Sequence, residues 1–409
     1  MVTIGFVIPH WPPAYGGGEQ YMDRMVAVLR ERLGCDIRIL TTTPADPDPD
    51  SFRGIADIPE EWITRHVDER PQAYAESWME GFSDWFDGFD PDLVIFASPA
   101  TYWQANGPMK GLDTIFVSVR SRGIPFGLVH YDLSHRTNYR LADMVRSGHT
   151  WEAAKEDYLA SAREASVDPD SWQTFVDLYE PPAAHSPDFL ISCSQWSLDL
   201  LDPLGSVPGL VLHPFMDYPS YLDPHPPMEQ GDFDVGFVNP CLHKGCTTAL
   251  NLAMGSDYSQ VWLRGAYSDS NKERFMGVVE SSIASGQVMG EITIVDFVPD
   301  IRSLFASLRS HGLLLFPSHF EGYGMVAVEA LAAGIPVVST NHPATVEGVG
   351  DSAYLVNPYA DFDDWEWALS EVLEDRESWV RAAEERISFL RDRQQIQVLA
   401  LIDFIQGFL

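Results

Sequence analysis

The 409 residues include only four lysines, Lys110, Lys155, Lys244 and Lys272, and 26 basic residues stand against 60 acidic ones. The net charge of −34 argues against binding to nucleic acid and against electrostatic docking on anionic lipid. Cysteine is equally scarce: Cys35, Cys193, Cys241 and Cys246 form no CxxC pair, which speaks for reduced thiols over zinc or disulfides. No run of about 18 apolar residues occurs, so no membrane span is expected. Met1–His10 lacks a basic region, and Pro9, Pro12 and Pro13 cut its apolar stretch short, so the expectation is a cytoplasmic protein without a secretory signal. No GxGxxG follows the first strand, which weakens a dinucleotide-dependent dehydrogenase. Asp46-Pro47-Asp48 imitates a metal-binding DxD but lies in a proline-broken loop, so it reads as a turn and no metal is expected. One consequence of the lysine scarcity is useful: a lysine kept inside a Gly-containing loop stands out.

The composition, 45% hydrophobic and 21% charged, is that of a globular protein, and the length suits two domains. Thr3–Ile8 reads as a strand, Glu19–Leu33 as a helix with Met22, Met25, Val26 and Leu29 on one face, and Cys35–Leu40 as a second strand. This order implies a parallel sheet with right-handed crossovers. Leu93–Ala97 and Pro125–His130 look like buried parallel strands, residues 131–185 are polar, aromatic and helical, and Asp188–Ser194 is a further strand. The proline-rich stretch Pro219–Pro227 marks the boundary. The pattern then restarts with strands at Phe233–Val238, Gln260–Arg264, Glu291–Phe297, Leu313–Pro317 and Ile335–Thr340, and two helices close the chain. The expected fold class is α/β, two doubly wound Rossmann-like domains: residues 1–215, residues 216–385, and a C-terminal helix, 386–409, packing back on the first.

The segment that carries chemistry is Leu313–Thr340, LLLFPSHFEGYGMVAVEALAAGIPVVST. A buried strand ends at Pro317, and Glu321-Gly322-Tyr323-Gly324 makes a tight turn. A helix then begins near Met325, and its first N–H groups point back at the loop as an anion site. Glu329 lies about one turn into that helix. A diphosphate at the helix start leaves Glu321 near a sugar and Glu329 near a ribose. Lys244 is the retained lysine of a Lys-Gly loop and suits a phosphate cation; His130 ends a buried strand at the carboxyl edge, where open α/β sheets place ligands. Trp151, Tyr158, Trp172 and Tyr179 are candidates to stack on an acceptor, with core packing as the alternative for each.

The spacing Glu321-x7-Glu329 before EALAAGIPVVS closely resembles retaining glycosyltransferases of family 4, which have the GT-B fold. Glu347-Gly348-Val349-Gly350-Asp351 with AYLVNP, Val298-Pro299-Asp300, Gly16-Gly17-Gly18-Glu19, GLVHYDLS at 127–134, Asp188–Ser194 and Leu212–Asp217 are similar to further stretches of that family. The resemblance implies two domains facing a central cleft that holds a nucleotide-sugar, with domain closure over it. It also implies configuration-retaining transfer to an acceptor hydroxyl without cofactor or metal. Catalytic roles fall on His130, Glu321 and Lys244, and donor binding on Gly17, Gly18, Asn239, Arg264, Val298, Gly322, Tyr323, Gly324, Met325 and Glu329. The donors implied are UDP- or GDP-sugars; the acceptor is a small molecule or glycan. The family's Gly-Arg-Leu before Lys-Gly is here Phe237-Val238-Asn239-Pro240-Cys241-Leu242-His243-Lys244-Gly245: the lysine is kept, the arginine is missing, and Arg264 is a candidate substitute. His342-Pro343-Ala344-Thr345 stands where a Gly-Gly pair is common. The alternatives are a same-fold sugar phosphorylase or nucleotide-sugar epimerase, or a non-catalytic nucleotide-sugar-binding protein.

Overall fold

The structure, a computed structural model, describes residues 2–8, 11–12, 17–41, 55–65, 82–97, 112–131, 135–168, 171, 175, 187–229, 231–265, 270–298 and 300–409. The expectations placed on Gly16, Asp46–Asp48, Trp172, Tyr179 and Pro299 lie outside these residues. Two compact units result: Met1–Phe215 with Gln394–Leu409, and Met216–Arg393.

The first unit is built on a seven-stranded sheet. Its strands are β1 (Thr3–Val7), β2 (Asp36–Thr41), β3 (Ile63–Arg65), β4 (Leu93–Ala97), β5 (Phe126–His130), β6 (Phe189–Ser192) and β7 (Gly209–Val211). All pair in parallel, in the order β3-β2-β1-β4-β5-β6-β7. Every residue of β4, β5 and β6 is buried, which is why these runs are continuously apolar and not alternating. The first helix spans Gly17–Leu33, two residues earlier than the apolar spacing predicts, because glycines carry no signal in that spacing. The expected helical region 131–185 resolves into helices His135–Arg146 and Trp151–Val167, the second capped by Thr150, whose Oγ1 accepts from the Ala153 N–H at 3.1 Å. Trp151 packs edge-on against Trp196, and the Tyr158 hydroxyl donates to the Leu200 carbonyl at 2.7 Å, so both are core residues. From the chain's last segment, Phe404 and Phe408 pack on Phe189 of β6.

The second unit has six strands: β8 (Val235–Val238), β9 (Ser259–Leu263), β10 (Glu291–Val295), β11 (Leu313–Phe316), β12 (Val337–Thr340) and β13 (Tyr354–Val356). They are again all parallel, in the order β10-β9-β8-β11-β12-β13. Counted from β8, this is the Rossmann order 3-2-1-4-5-6. Three-residue strands such as β3 and β13 are too short to show an alternating pattern. Phe237, Trp262 and Trp365 fill the core between the sheet and its helices. The closing helices are Phe362–Glu374, capped by Asp361, and Arg376–Gln406. Among the described residues the four cysteines are free and buried, and no helix is long and apolar enough to cross a membrane.

Candidate active site

In an open sheet of this order, the strand sequence reverses between the first and fourth strands, and the loops leaving their carboxyl ends part to leave a crevice. In the second unit those strands are β8 and β11. The loop after β8 makes a 3-10 turn, Leu242–Lys244, and then Gly245 in the left-handed region, φ +74°, before helix Cys246–Gly255. The loop after β11 runs from Pro317 to Gly324. The two loops are pressed together. A Cβ on Gly245 would lie 2.1 Å from the Pro317 carbonyl oxygen, so only glycine fits. The His319 N–H donates to the His243 carbonyl at 2.8 Å, and the His243 ring stacks on Phe320 with centroids 5.5 Å apart. This close fit brings the Lys244 ammonium to the Glu321 carboxylate, with Nζ donating to Oε1 at 2.5 Å. The Lys244 ammonium also lies 6.0 Å from the centre of the Phe316 ring.

Gly324, at φ +81°, caps helix Met325–Ala332. Within that helix the Ala327 N–H bonds the Gly324 carbonyl, while the N–H groups of Met325 and Val326 precede any intrahelical acceptor and point out along the axis. Beside this end sits Thr345. Its Oγ1 would lie 3.2 Å from a Cβ on Gly324, and it is buried without a hydrogen-bond partner among the described residues. His342 is buried nearby in sequence, and burial, with Lys244 as a second cause, depresses its pKa from 6.5 to about 3. Glu329, one turn into the helix, is only 5% exposed, and its Oε1 accepts from the Tyr221 hydroxyl at 2.8 Å. The Tyr323 side chain turns inward and packs on Gly348, and burial raises its hydroxyl pKa well above the ordinary value. What Tyr323 and Gly322 bring to the turn is therefore backbone.

At the β8–β9 side, Asn239 adopts φ +58°, which Asn tolerates better than most residues, and its N–H donates to the Leu263 carbonyl at 2.8 Å. Its Oδ1 lies against Gly265, where a Cβ would stand 2.4 Å away. Arg264 is surrounded by acids: Glu280 at 3.1 Å, Glu273 at 3.6 Å and Asp296 at 3.8 Å. Its charge is thus already offset. Val298 is half-buried, just before Asp300, whose carboxylate grips Arg302 through Nε and Nη2. That contact holds the Asp300 carboxyl below its usual range.

In the first unit, His130 ends β5, is 4% exposed, and neither ring nitrogen has a hydrogen-bond partner among the described residues. Burial depresses its pKa from 6.5 to about 4, so the ring is neutral near pH 7. Its register partner on β6 is Ser192, whose buried hydroxyl is likewise unpartnered among the described residues. His130 and Ser192 thus stand side by side at the carboxyl edge, both buried. Gly17 and Gly18 form the first turn of helix Gly17–Leu33, and a Cβ on Gly18 would lie 2.3 Å from Cε2 of Tyr131, the residue after His130. Sequence reasoning passed over Tyr221, Thr345 and Ser192. Tyr221 acquires its setting from Glu329, 108 residues away in the chain, and no local motif signals it.

Comparison with known proteins matches residues 279–387 to the family described as glycosyl transferases group 1. The O-antigen chain mannosyltransferase B of Escherichia coli is 33% identical over 78 residues, a stretch that covers 19% of this chain and 20% of that protein. The chain matches between 8% and 29% of the length of the curated relatives. The fold likeness is complete. A sucrose-phosphate synthase structure from Thermosynechococcus elongatus superimposes with a TM-score of 0.69 at 15% identity, covering 100% of this chain and 99% of the other. Anabaena Alr3699/HepE, solved in complex with UDP and glucose, gives 0.65 at 15% identity, with the same coverage. By sequence, then, residues 279–387 match the glycosyl transferases group 1 family, within a chain whose whole length takes the two-unit α/β GT-B fold.

Proposed function

We propose that the protein is a retaining, metal-independent glycosyltransferase that moves a sugar from a UDP- or GDP-sugar to an acceptor hydroxyl. The observation that carries this reading is the Lys244–Glu321 pair, set between the β8 and β11 loops beside the helix start at Met325. An anion-binding helix end, a cation and a hydroxyl-binding carboxylate stand together, and a sugar diphosphate needs all three. Without donor, Lys244 and Glu321 neutralise each other. A bound diphosphate draws Lys244 to its oxygens and releases Glu321 to the sugar hydroxyls, while Glu329 accepts from the ribose.

In the transfer step the bond between the anomeric carbon and the diphosphate oxygen breaks. Lys244 and the Met325 and Val326 N–H groups stabilise the charge left on phosphate. The acceptor oxygen forms its bond on the same face, and its proton passes to the departing phosphate oxygen, so configuration is retained and no metal is needed. His130, neutral at the β5 end, is assigned to a donor-sugar hydroxyl, and Gly17 and Gly18 let backbone approach the sugar or its phosphate. The HepE complex with UDP and glucose supports UDP as the first donor base to try.

A second reading has one observation in its favour. Arg264, the candidate replacement for the family's missing arginine, is occupied by three carboxylates. On that reading the protein binds a nucleotide-sugar without turning it over. Thermal shifts with UDP, GDP, ADP and dTDP, each with and without EDTA, followed by turnover of the matching nucleotide-sugars, separate the two. A ligand at about 100 times its dissociation constant stabilises by about 2.7 kcal/mol. A shift insensitive to EDTA, together with release of nucleotide, is the expected result; a shift without release supports the binding protein, and no shift removes both.

A further inference from the structure

The 3-10 turn Tyr218–Tyr221 is fastened at its carbonyl end from the two ends of the helix Arg302–Leu308, by Arg302 itself and by the C-cap residue Arg309. Arg302 donates through Nη1 to the Ser220 carbonyl at 3.3 Å, and Arg309 donates through Nη2 to the Tyr221 carbonyl at 3.0 Å. Arg302 is itself held by both oxygens of Asp300. So fastened, the turn carries the Tyr221 ring into the interior, beside Phe305, with ring centroids 6.5 Å apart. There its hydroxyl donates to Oε1 of Glu329 at 2.8 Å, with the tyrosine 7% and the glutamate 5% exposed.

A buried carboxylate on a helix can turn about its last torsion, because sp3–sp2 torsions are broad. A hydrogen bond from a rigid, fastened phenol removes that freedom and sets the plane in which the carboxylate presents its oxygens. We infer that Tyr221 is a positioning residue: it fixes the Glu329 carboxylate in the orientation that accepts hydroxyls of a ribose, and so makes the site selective for ribonucleotide over deoxyribonucleotide donors. This rests on the assignment of Glu329 to the donor ribose, and the experiment separates the two statements.

The test is titration calorimetry of wild type, Tyr221→Phe and Glu329→Gln with UDP and GDP and with the 2′-deoxy and 3′-deoxy form of each. Phenylalanine keeps the ring and its packing, and unfolding temperatures of the three proteins confirm the fold. Wild type prefers the ribonucleotide by roughly tenfold, about 1.4 kcal/mol. Tyr221→Phe loses most of that preference, while its affinity for the deoxy form stays within about twofold. Glu329→Gln loses the preference as well. If Glu329→Gln loses it and Tyr221→Phe keeps it, the role of Tyr221 is overturned and the ribose assignment stands. If Tyr221→Phe weakens both nucleotide forms equally, Tyr221 is merely structural and the proposal falls. If both variants keep the preference, or no nucleotide binds the wild type, the ribose assignment falls and the proposal with it.

Discussion

Lys244 Nζ and Glu321 Oε1 lie 2.5 Å apart although 77 residues separate them in the chain. Neighbouring strands deliver them: β8 pairs with β11, and their carboxyl-end loops are locked together at Gly245 and Pro317. Lys244→Met and Glu321→Gln are each expected to lower kcat by about 100-fold or more while leaving the unfolding temperature near that of wild type. Initial rates with UDP- and GDP-sugars measure this. Wild-type rates in both variants would remove the site.

Gly245→Ala is expected to cost more stability than substitution of a glycine with the same backbone conformation and an open Cβ position. It forces a Cβ to 2.1 Å from a backbone oxygen and places alanine at φ +74°. Gly286 supplies the control, since it has φ +70° but nothing within 4 Å of its Cβ position. Gly286→Ala should cost about 1–2 kcal/mol, the strain of the left-handed region alone. Urea unfolding of the two variants compares them directly. Equal losses would show that the two loops part without cost.

His130 and His342 give stability a pH dependence. Their pKa values lie at about 4 and about 3, against 6.5 for an ordinary histidine. The unfolded chain therefore takes up these protons at a higher pH than the fold does. The contribution of each is complete above the unfolded pKa and is lost as pH falls through the window towards the folded value. Within that window each costs about 1.4 kcal/mol per pH unit. Urea midpoints should fall more steeply with decreasing pH for wild type than for His130→Phe, because the variant lacks one of the two histidines. Parallel curves would show that His130 takes a proton freely in the folded protein.

Gly18→Ala should reduce stability by about 1–3 kcal/mol, because its Cβ meets the Tyr131 ring at 2.3 Å. Pairing it with Tyr131→Ala should recover part of that loss, a coupling that a double-mutant cycle reads. Additive losses would place the strain elsewhere.

Arg264→Gln is expected to change affinity for UDP or GDP by less than about threefold, since Glu273, Glu280 and Asp296 already occupy its charge. A loss of about tenfold or more in calorimetry would make Arg264 the replacement for the arginine absent from the Lys244 loop.

Local pattern made much of this architecture legible. The apolar runs at 93–97, 126–130 and 313–316 declare buried parallel strands without a partner being known, because each carries its own burial signal. The turn at Glu321–Gly324 and the helix start at Met325 are legible in the same local way. What the sequence withheld is long-range. Nothing near Tyr221 points to Glu329, and nothing near Arg264 says that three acids surround it. The inward turn of Tyr323 is hidden for the same reason, since its packing partner Gly348 comes from the helix Pro343–Val349. Gly18 shows the same limit: its glycine is required by the Tyr131 ring, which a Cβ there would meet at 2.3 Å, and nothing in the glycine-rich stretch itself announces that contact.

The contact between Gly245 and Pro317 also bears on how such a protein can diversify. A side chain at the first position would need the second backbone to retreat, and that retreat would separate Lys244 from Glu321. The two loops therefore behave as one structural piece. A graft from a related protein would have to move residues 239–245 together with 313–329; exchanging either alone would leave mismatched halves of a single part.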